Sequence, residues 1–294
     1  MRRASSPLLA LVVVTAIWGY TFVPVQTAVG AYPLFAFLAV RFAISTLALV
    51  PFAFGPLRVL PRAGWAAGIV AGSFLGLAYG LQTAGLELTT VSSTGFITGL
   101  YVVFTPLLAL AAFGTRVPAP VWVGVVFALT GLLLLSGAPG GSWTGNLLVL
   151  GNAVAQSFQI VAMERWAPRY DARALTIVQM AVAFAGFAVV AVAAGQVEAP
   201  PDAATWYALV VTGVFAGALG YLVSTWVQSR TTAARAALVF TLEAPFAALF
   251  GVLLLSERLG WAGWAGCAVM LAGIVLAEPA AAATLRRLVP ARVG

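Results

Sequence analysis

Apolar residues run along this chain in long stretches, separated by short connections rich in Pro, Gly and Arg. A helix that crosses a bilayer needs about 17–25 mostly apolar residues. Ten segments meet that requirement: 8–29, 34–54, 64–86, 91–113, 119–136, 145–163, 174–194, 206–228, 236–255 and 260–277. The runs are continuously apolar. Strands of a membrane β-barrel would instead alternate apolar and polar positions over about ten residues. The pattern therefore predicts ten transmembrane helices. The first segment follows Arg2 and Arg3, as a signal peptide would. It is, however, longer than the roughly 7–15 apolar residues of a signal core, and it contains Trp18, Pro24 and Gln26. A retained helix is expected.

Composition agrees. The chain is 62% hydrophobic and only 8% charged, whereas about a quarter of the residues in a soluble domain are charged. A water-soluble enzyme, a disordered chain and a collagen are all excluded. Histidine is absent and all 15 basic residues are Arg, so His-dependent triads, lysine Schiff bases and Walker-type phosphate loops lack their parts. A lone cysteine, Cys267, makes neither an internal disulfide nor a thiolate cluster. No cofactor, no metal and no enzymatic activity are expected.

Arginine placement sets the orientation. With the N-terminus in the cytoplasm, thirteen of the fifteen arginines fall on the cytoplasmic side, Arg258 on the other and Arg41 inside the second span. The positive-inside rule thus places both termini in the cytoplasm. The pI near 10.3 needs no nucleic acid to explain it. The arginines suit contact with anionic membrane lipid, and no obligatory protein partner is evident.

The two halves resemble each other. Gly72-Ser73-Phe74-Leu75-Gly76 matches Gly213-Val214-Phe215-Ala216-Gly217, and Pro106 matches Pro245. Trp122, Gly124 and Gly131 match Trp264, Gly266 and Gly273, with offsets of 141, 139 and 142 residues for the three sets. Five spans per half is an odd number, so the second copy must enter the membrane upside down. The expected organisation is a first five-helix repeat over 1–138, an inverted second repeat over 139–280 and a cytoplasmic tail over 281–294. Inverted repeats are characteristic of secondary transporters, in which two exchangeable halves give inward- and outward-open states.

Several spans carry polar stripes. Thr94, Thr98, Tyr101 and Thr105 lie on one helical face, as do Asn152, Gln156, Gln159 and Met163. Tyr221, Ser224, Thr225 and Gln228 cluster, Trp18 and Phe22 sit one turn apart, and Tyr79 and Gln82 close the third span. Interhelical hydrogen bonding is one reading of these groups. The sharper reading is convergence on a midplane chamber that takes a small amphipathic solute. On that reading Trp18, Phe22, Tyr79, Gln82, Thr98, Tyr101, Gln156, Gln159, Met163, Tyr221 and Thr225 bind substrate, and Pro24, Pro106 and Pro245 are hinges. Trp122, Trp206, Trp261 and Trp264 fit an interfacial belt better. Arg41 and Glu243 are costly in hydrocarbon unless paired or wetted. They pair with each other, or Glu243 is a protonatable coupling group and Arg41 meets a substrate carboxylate.

Leu242-Glu243-Ala244-Pro245, Gly251-Val252-Leu253-Leu254-Leu255-Ser256-Glu257-Arg258-Leu259, Trp264-Ala265-Gly266 and Leu271-Ala272-Gly273 resemble the second repeat of an EamA-type protein. Phe104-Thr105-Pro106 and Trp122-Val123-Gly124 echo it, and Ala16-Ile17-Trp18-Gly19 and Arg41-Phe42 also fit. This is the drug/metabolite transporter superfamily. The resemblance implies an all-α membrane protein with ten helices in inverted five-helix repeats around a central cavity. It implies export of small metabolites by alternating access across a bacterial-type cytoplasmic membrane. Within the superfamily the chain is most similar to YddG-type amino-acid exporters. One departure is Thr115-Arg116-Val117, where many members carry a Glu-Arg pair such as Glu257-Arg258. The alternative function is proton-coupled export of cationic drugs through Glu243.

Overall fold

The computed structural model describes residues 5–89, 91–136, 142–254 and 258–277. The seam at 137–141, the tail 281–294, Glu257 and the terminal arginines Arg2, Arg3, Arg286, Arg287 and Arg292 lie outside the described residues. Regular structure among the described residues is helical: α1 (Ser5–Val29), α2 (Leu34–Arg58), α3 (Arg62–Leu88), α4 (Val91–Gly99), α5 (Tyr101–Phe113), α6 (Ala119–Ser136) and α7 (Trp143–Trp166). There follow α8 (Ala172–Ala193), α9 (Ala203–Val210), a π-helical segment (Val211–Gly220), α10 (Tyr221–Gln228), α11 (Ala233–Phe240), α12 (Glu243–Leu254) and α13 (Trp261–Ala277). Among the described residues, eight stretches have the length and apolarity to cross a membrane, and Ala119–Leu135 and Trp261–Ala277 are apolar but shorter.

The outer surface is apolar, and the apolar core also encloses polar groups. Leu47, Phe52, Val126, Val189 and Leu253 are exposed, whereas Thr94, Asn152, Gln159, Gln179 and Thr225 are buried. In water that arrangement would sacrifice the hydrophobic driving force. In hydrocarbon it lets most of the polar groups find partners inside the bundle, although Thr105 Oγ1, Ser224 Oγ and Gln228 Oε1 have none among the described residues.

Three predicted spans are not plain helices. The fourth breaks at Leu100, between α4 and α5, and the ninth breaks at Thr241 and Leu242, between α11 and α12. Each break lies just upstream of one of the matched prolines, Pro106 and Pro245. Proline has no N–H to offer the carbonyl four residues back, so Thr241 instead accepts from the Ala244 N–H at 3.2 Å. By contrast, α1 runs unbroken through Pro24. The eighth span widens into the π-helical segment between α9 and α10. Two of its carbonyls take side-chain hydrogen bonds: Gly213 from Ser45 Oγ at 2.8 Å and Ala216 from Trp18 Nε1 at 3.0 Å.

Glycine sets how closely the helices approach. A Cβ on Gly131 would fall 2.6 Å from the Gly266 carbonyl oxygen, and one on Gly266 would fall 2.5 Å from that of Gly131. Gly124 and Gly273 face each other in the same way, each 3.0 Å from the other's carbonyl. With 124 opposite 273 and 131 opposite 266, α6 and α13 run antiparallel. On α3, Gly68, Gly72, Gly76 and Gly80 meet Val178, Gln179, Ala183 and Phe187 of α8 in ascending order, so these two helices run parallel. Gly213 and Gly217 of the π-helical segment meet Ile44 and Ser45 of α2 in the same sense. The α3–α8 contact and the contact of the π-helical segment with α2 are therefore equivalent in the two halves.

Connections carry the caps. Ser142 accepts from the Gly145 N–H, Asp202 from Thr205 and Asp171 from Arg173. Asp171 also forms an ion pair with Arg173 at 2.9 Å. The hydrogen bonds from Arg173 hold its carboxyl below the usual Asp value.

Gly266→Ala should lower the melting temperature in detergent by several degrees, because backbone on a facing helix cannot move aside and overpacking costs about 1–3 kcal/mol. Gly186→Ala, with nothing within 4 Å of the added carbon, should leave the melting temperature unchanged or slightly higher.

Candidate functional site

Two adjoining clefts occupy the interior between α1, α2, α3, α4, α5, α7, α10, α11 and α12. Both are bounded by Trp18, Tyr79, Gln82 and Glu243. The first is completed by Thr98, Tyr101, Asn152, Gln156, Ile160, Tyr221 and Phe240. The second is completed by Thr21, Phe22, Val25, Arg41, Thr83 and Leu86, and extends toward the C-terminal ends of α1 and α3.

Glycines beside Trp18 build this arrangement. A Cβ on Gly19 would stand 2.6 Å from Phe246 Cβ and 2.9 Å from the Glu243 carbonyl oxygen. Only glycine lets α1 lie this close to α12, which brings Trp18 and Glu243 to one cleft. A Cβ on Gly220 would stand 2.8 Å from Trp18 Nε1, so Gly220 leaves room for the indole. The indole ring packs against Tyr221 and Phe240, each with ring centroids 5.3 Å away. Its N–H is spent on the Ala216 carbonyl, which fixes the ring.

Arg41 is 94% buried by its 6% exposure, and its guanidinium carbon lies 4.7 Å from the centre of the Tyr79 ring. Arg41 Nη2 also donates to the Tyr79 hydroxyl at 3.4 Å, and the Tyr221 hydroxyl donates to Tyr79 at 3.3 Å. Tyr79 thus holds the cation by its face and by its hydroxyl at once. On the opposite wall Thr98 Oγ1 accepts from Gln82 Nε2 at 3.2 Å and from Asn152 Nδ2 at 2.9 Å. Among the described residues, the ion pair is Arg173–Asp171; Arg41 and Glu243 share a cleft without joining.

Of the predicted substrate-binding residues, Trp18, Phe22, Tyr79, Gln82, Thr98, Tyr101, Gln156 and Tyr221 line the clefts, together with Arg41 and Glu243. Three do not line them. Gln159 is buried and donates to Gln179 Oε1 at 2.8 Å. Met163 is fully buried among Ala67, Ala71 and Leu175. Thr225 is buried against Thr176, their hydroxyls 3.1 Å apart. Gln159 and Met163 lie on the predicted face of α7, but past the cleft, where that helix packs on α3 and α8. Asn152 lines the cleft from the same stripe, and Phe240 and Ile160 join it without any polar signal. Thr21 and Thr83 continue the stripes of Trp18 and Tyr79 by one turn, and Val25 and Leu86 by two. Among the expected belt residues, Trp206, Trp261 and Trp264 are exposed, while Trp122 packs partly buried against the core.

The clefts measure about 30 and 40 Å³. One water needs about 10–15 Å³ on this scale, so they have room for a few waters and not for an amino acid. A solute enters only after the helices move apart.

Comparison with known proteins bears on this site. The EamA-like transporter family matches residues 5–137 and again 143–277. The chain belongs to the EamA-like transporter family. It is 31% identical over 271 residues to an uncharacterized transporter of Archaeoglobus fulgidus, covering 91% of this chain and 84% of that relative. It is 25% identical over 286 residues to the uncharacterized transporter YcxC of Bacillus subtilis, covering 91% of both. A solved crystal structure superposes with TM-score 0.79 at 20% identity over 97% of this chain and 99% of the other, a likeness of fold. As an EamA transporter, the protein is a multi-pass membrane protein of the drug/metabolite transporter superfamily.

Trp18→Phe should remove one buried hydrogen bond, worth about 1 kcal/mol, and leave the Ala216 carbonyl without its side-chain donor. A measurable fall in melting temperature, with the bundle still folded by circular dichroism, is the expected result.

Proposed function

We propose that this EamA transporter exports small metabolites, above all amino acids including aromatic and neutral ones, by alternating access through the two joined clefts. The observation that carries this reading is the lining itself. Aromatic rings and neutral amides converge from both halves on one interior space, which suits a small solute with an apolar or polar-neutral body. In this reading 1–138 and 139–280 are inverted five-helix repeats, ten spans in all, followed by the cytoplasmic tail 281–294. The reciprocal glycine contacts of antiparallel α6 and α13, and the equivalent α3–α8 and α2–π-segment contacts, support it. The arginine distribution supports a cytoplasmic membrane with both termini inside. The breaks near Pro106 and Pro245, together with Pro24, are the bending points. Smooth glycine interfaces are the surfaces that slide. The partners are a small-molecule substrate and membrane lipids, with no nucleic acid.

A second reading is proton-coupled export of cationic drugs. One observation favours it: Glu243 is the acid that lines both clefts.

Purified protein in liposomes should show saturable counterflow of at least one amino acid when all twenty are screened. No counterflow with any of them would overturn the amino-acid reading. Glu243→Gln separates the two functions. Proton-coupled drug export requires the variant to lose its pH dependence and most of its rate, so unchanged efflux would remove that reading.

A further inference from the structure

The second cleft is lined by one basic and one acidic side chain that form no ion pair with each other. Arg41 enters it from α2 and Glu243 from the first turn of α12. The guanidinium is held against Tyr79, with Nη2 directed at its hydroxyl. A guanidinium carries five N–H donors, and this contact uses one. Glu243 lies beside the break before Pro245, and among the described residues its carboxylate forms no ion pair. Isolated buried charges are costly, and the cost is relieved only by an opposite charge or by water.

We infer that the cleft is a clamp for a zwitterion, in which Arg41 takes the carboxylate and Glu243 takes the ammonium of a neutral α-amino acid. The inference rests on the transport reading above and adds to it how the substrate is recognised. The other classes of solute fit less well. A monocation would satisfy Glu243 and leave Arg41 bare, and a monoanion would do the reverse. An uncharged solute would compensate neither. An α-amino acid presents both charges in one small solute, one for each of these two side chains. Its side chain then extends into the first cleft, past Gln82 and Tyr79. There Thr98, Asn152, Gln156, Tyr221 and Phe240 offer amides, hydroxyls and rings. Glu243 is the acid of that cleft and no base lines it, so a side chain with its own charge finds no opposite partner beyond the clamp. The clefts are too small for the solute as they stand, so binding spreads the walls and the zwitterion bridges them.

The test uses full-length protein in liposomes and three probes that share one ring: L-phenylalanine with both charges, phenethylamine with only the ammonium and 3-phenylpropionate with only the carboxylate. Each competes for counterflow of labelled phenylalanine, and each is also measured by its shift of the melting temperature. In the unmodified protein phenylalanine should act at concentrations at least about tenfold lower than either analogue, as the loss of one charge-assisted contact implies. In Glu243→Gln that advantage over phenylpropionate should vanish. In Arg41→Gln the advantage over phenethylamine should vanish. Glu243→Asp and Arg41→Lys, which keep the charges, should retain part of both. Equal competition by all three probes in the unmodified protein would overturn the clamp while transport stands, and this arm needs no variant. So would an equal loss for all three probes in both neutral variants, which is the mark of a merely structural role. A lack of counterflow for every amino acid would overturn the transport reading and the clamp with it.

Discussion

Where α6 meets α13, Gly131 and Gly266 bring two helix backbones to a separation that a single methyl group would prevent. Hydrocarbon supplies no hydrophobic force between helices, so association depends on close van der Waals contact and on hydrogen bonds between polar groups. Glycine provides the first. It recurs at α3 against α8, at the π-helical segment against α2 and at α1 against α12. These contacts set the frame. The direction of each pair follows from the order in which its glycines meet the facing helix.

The clefts occupy the space that such contacts leave open. Tight packing of α3 on α8 and of the π-helical segment on α2 leaves α1, α3, α7 and α10 to present Trp18, Tyr79, Gln82, Gln156 and Tyr221 to a common interior. The break between α4 and α5 adds Thr98 and Tyr101, and the break between α11 and α12 adds Phe240 and Glu243. The break at Thr241 and Leu242 belongs to the frame as much as to the site, because Pro245 leaves the Thr241 carbonyl that a continuous helix would have bonded.

Symmetry serves packing, and departures from it serve the site. Gly76 meets Ala183 as Gly217 meets Ser45. The same register that pairs Ser45 with Ala183 pairs Arg41 with Gln179. In the second half that position is a neutral amide, buried and bonded to Gln159 and to the Leu175 carbonyl. In the first half it is a cation facing a cleft. A repeat with two identical charges here would double the cost of burial without adding a partner. One cation and one acid, drawn from different halves, give the cleft a polarity that the fold itself lacks.

Much of this was legible in the residues. Apolar run length set the helices and their order, because a backbone in hydrocarbon must satisfy its own hydrogen bonds. The W-x-G-x6-G pairs marked the repeat, while the meeting of their glycines across α6 and α13 came from the structure. Parts of the predicted stripes line the clefts: Trp18 and Phe22 on α1, Tyr79 and Gln82 on α3, Thr98 on α4, Tyr101 on α5, Asn152 and Gln156 on α7, and Tyr221 on α10. Periodicity specifies a face, however, and not a depth or a neighbour. That is why Gln159 and Met163, on the right face of α7, lie in packing below the cleft, and why Thr225 turns to Thr176. It is also why Phe240 and Ile160 carried no signal: an apolar residue facing a cavity has the same chemistry as one facing lipid. Local sequence determined the helices and their sticky and polar faces, because those depend on residues a few positions apart. Only the tertiary structure decided that Arg41 and Glu243 share a cleft without pairing, because that depends on how α2 and α12, far apart in the chain, are spaced by the glycines of their neighbours.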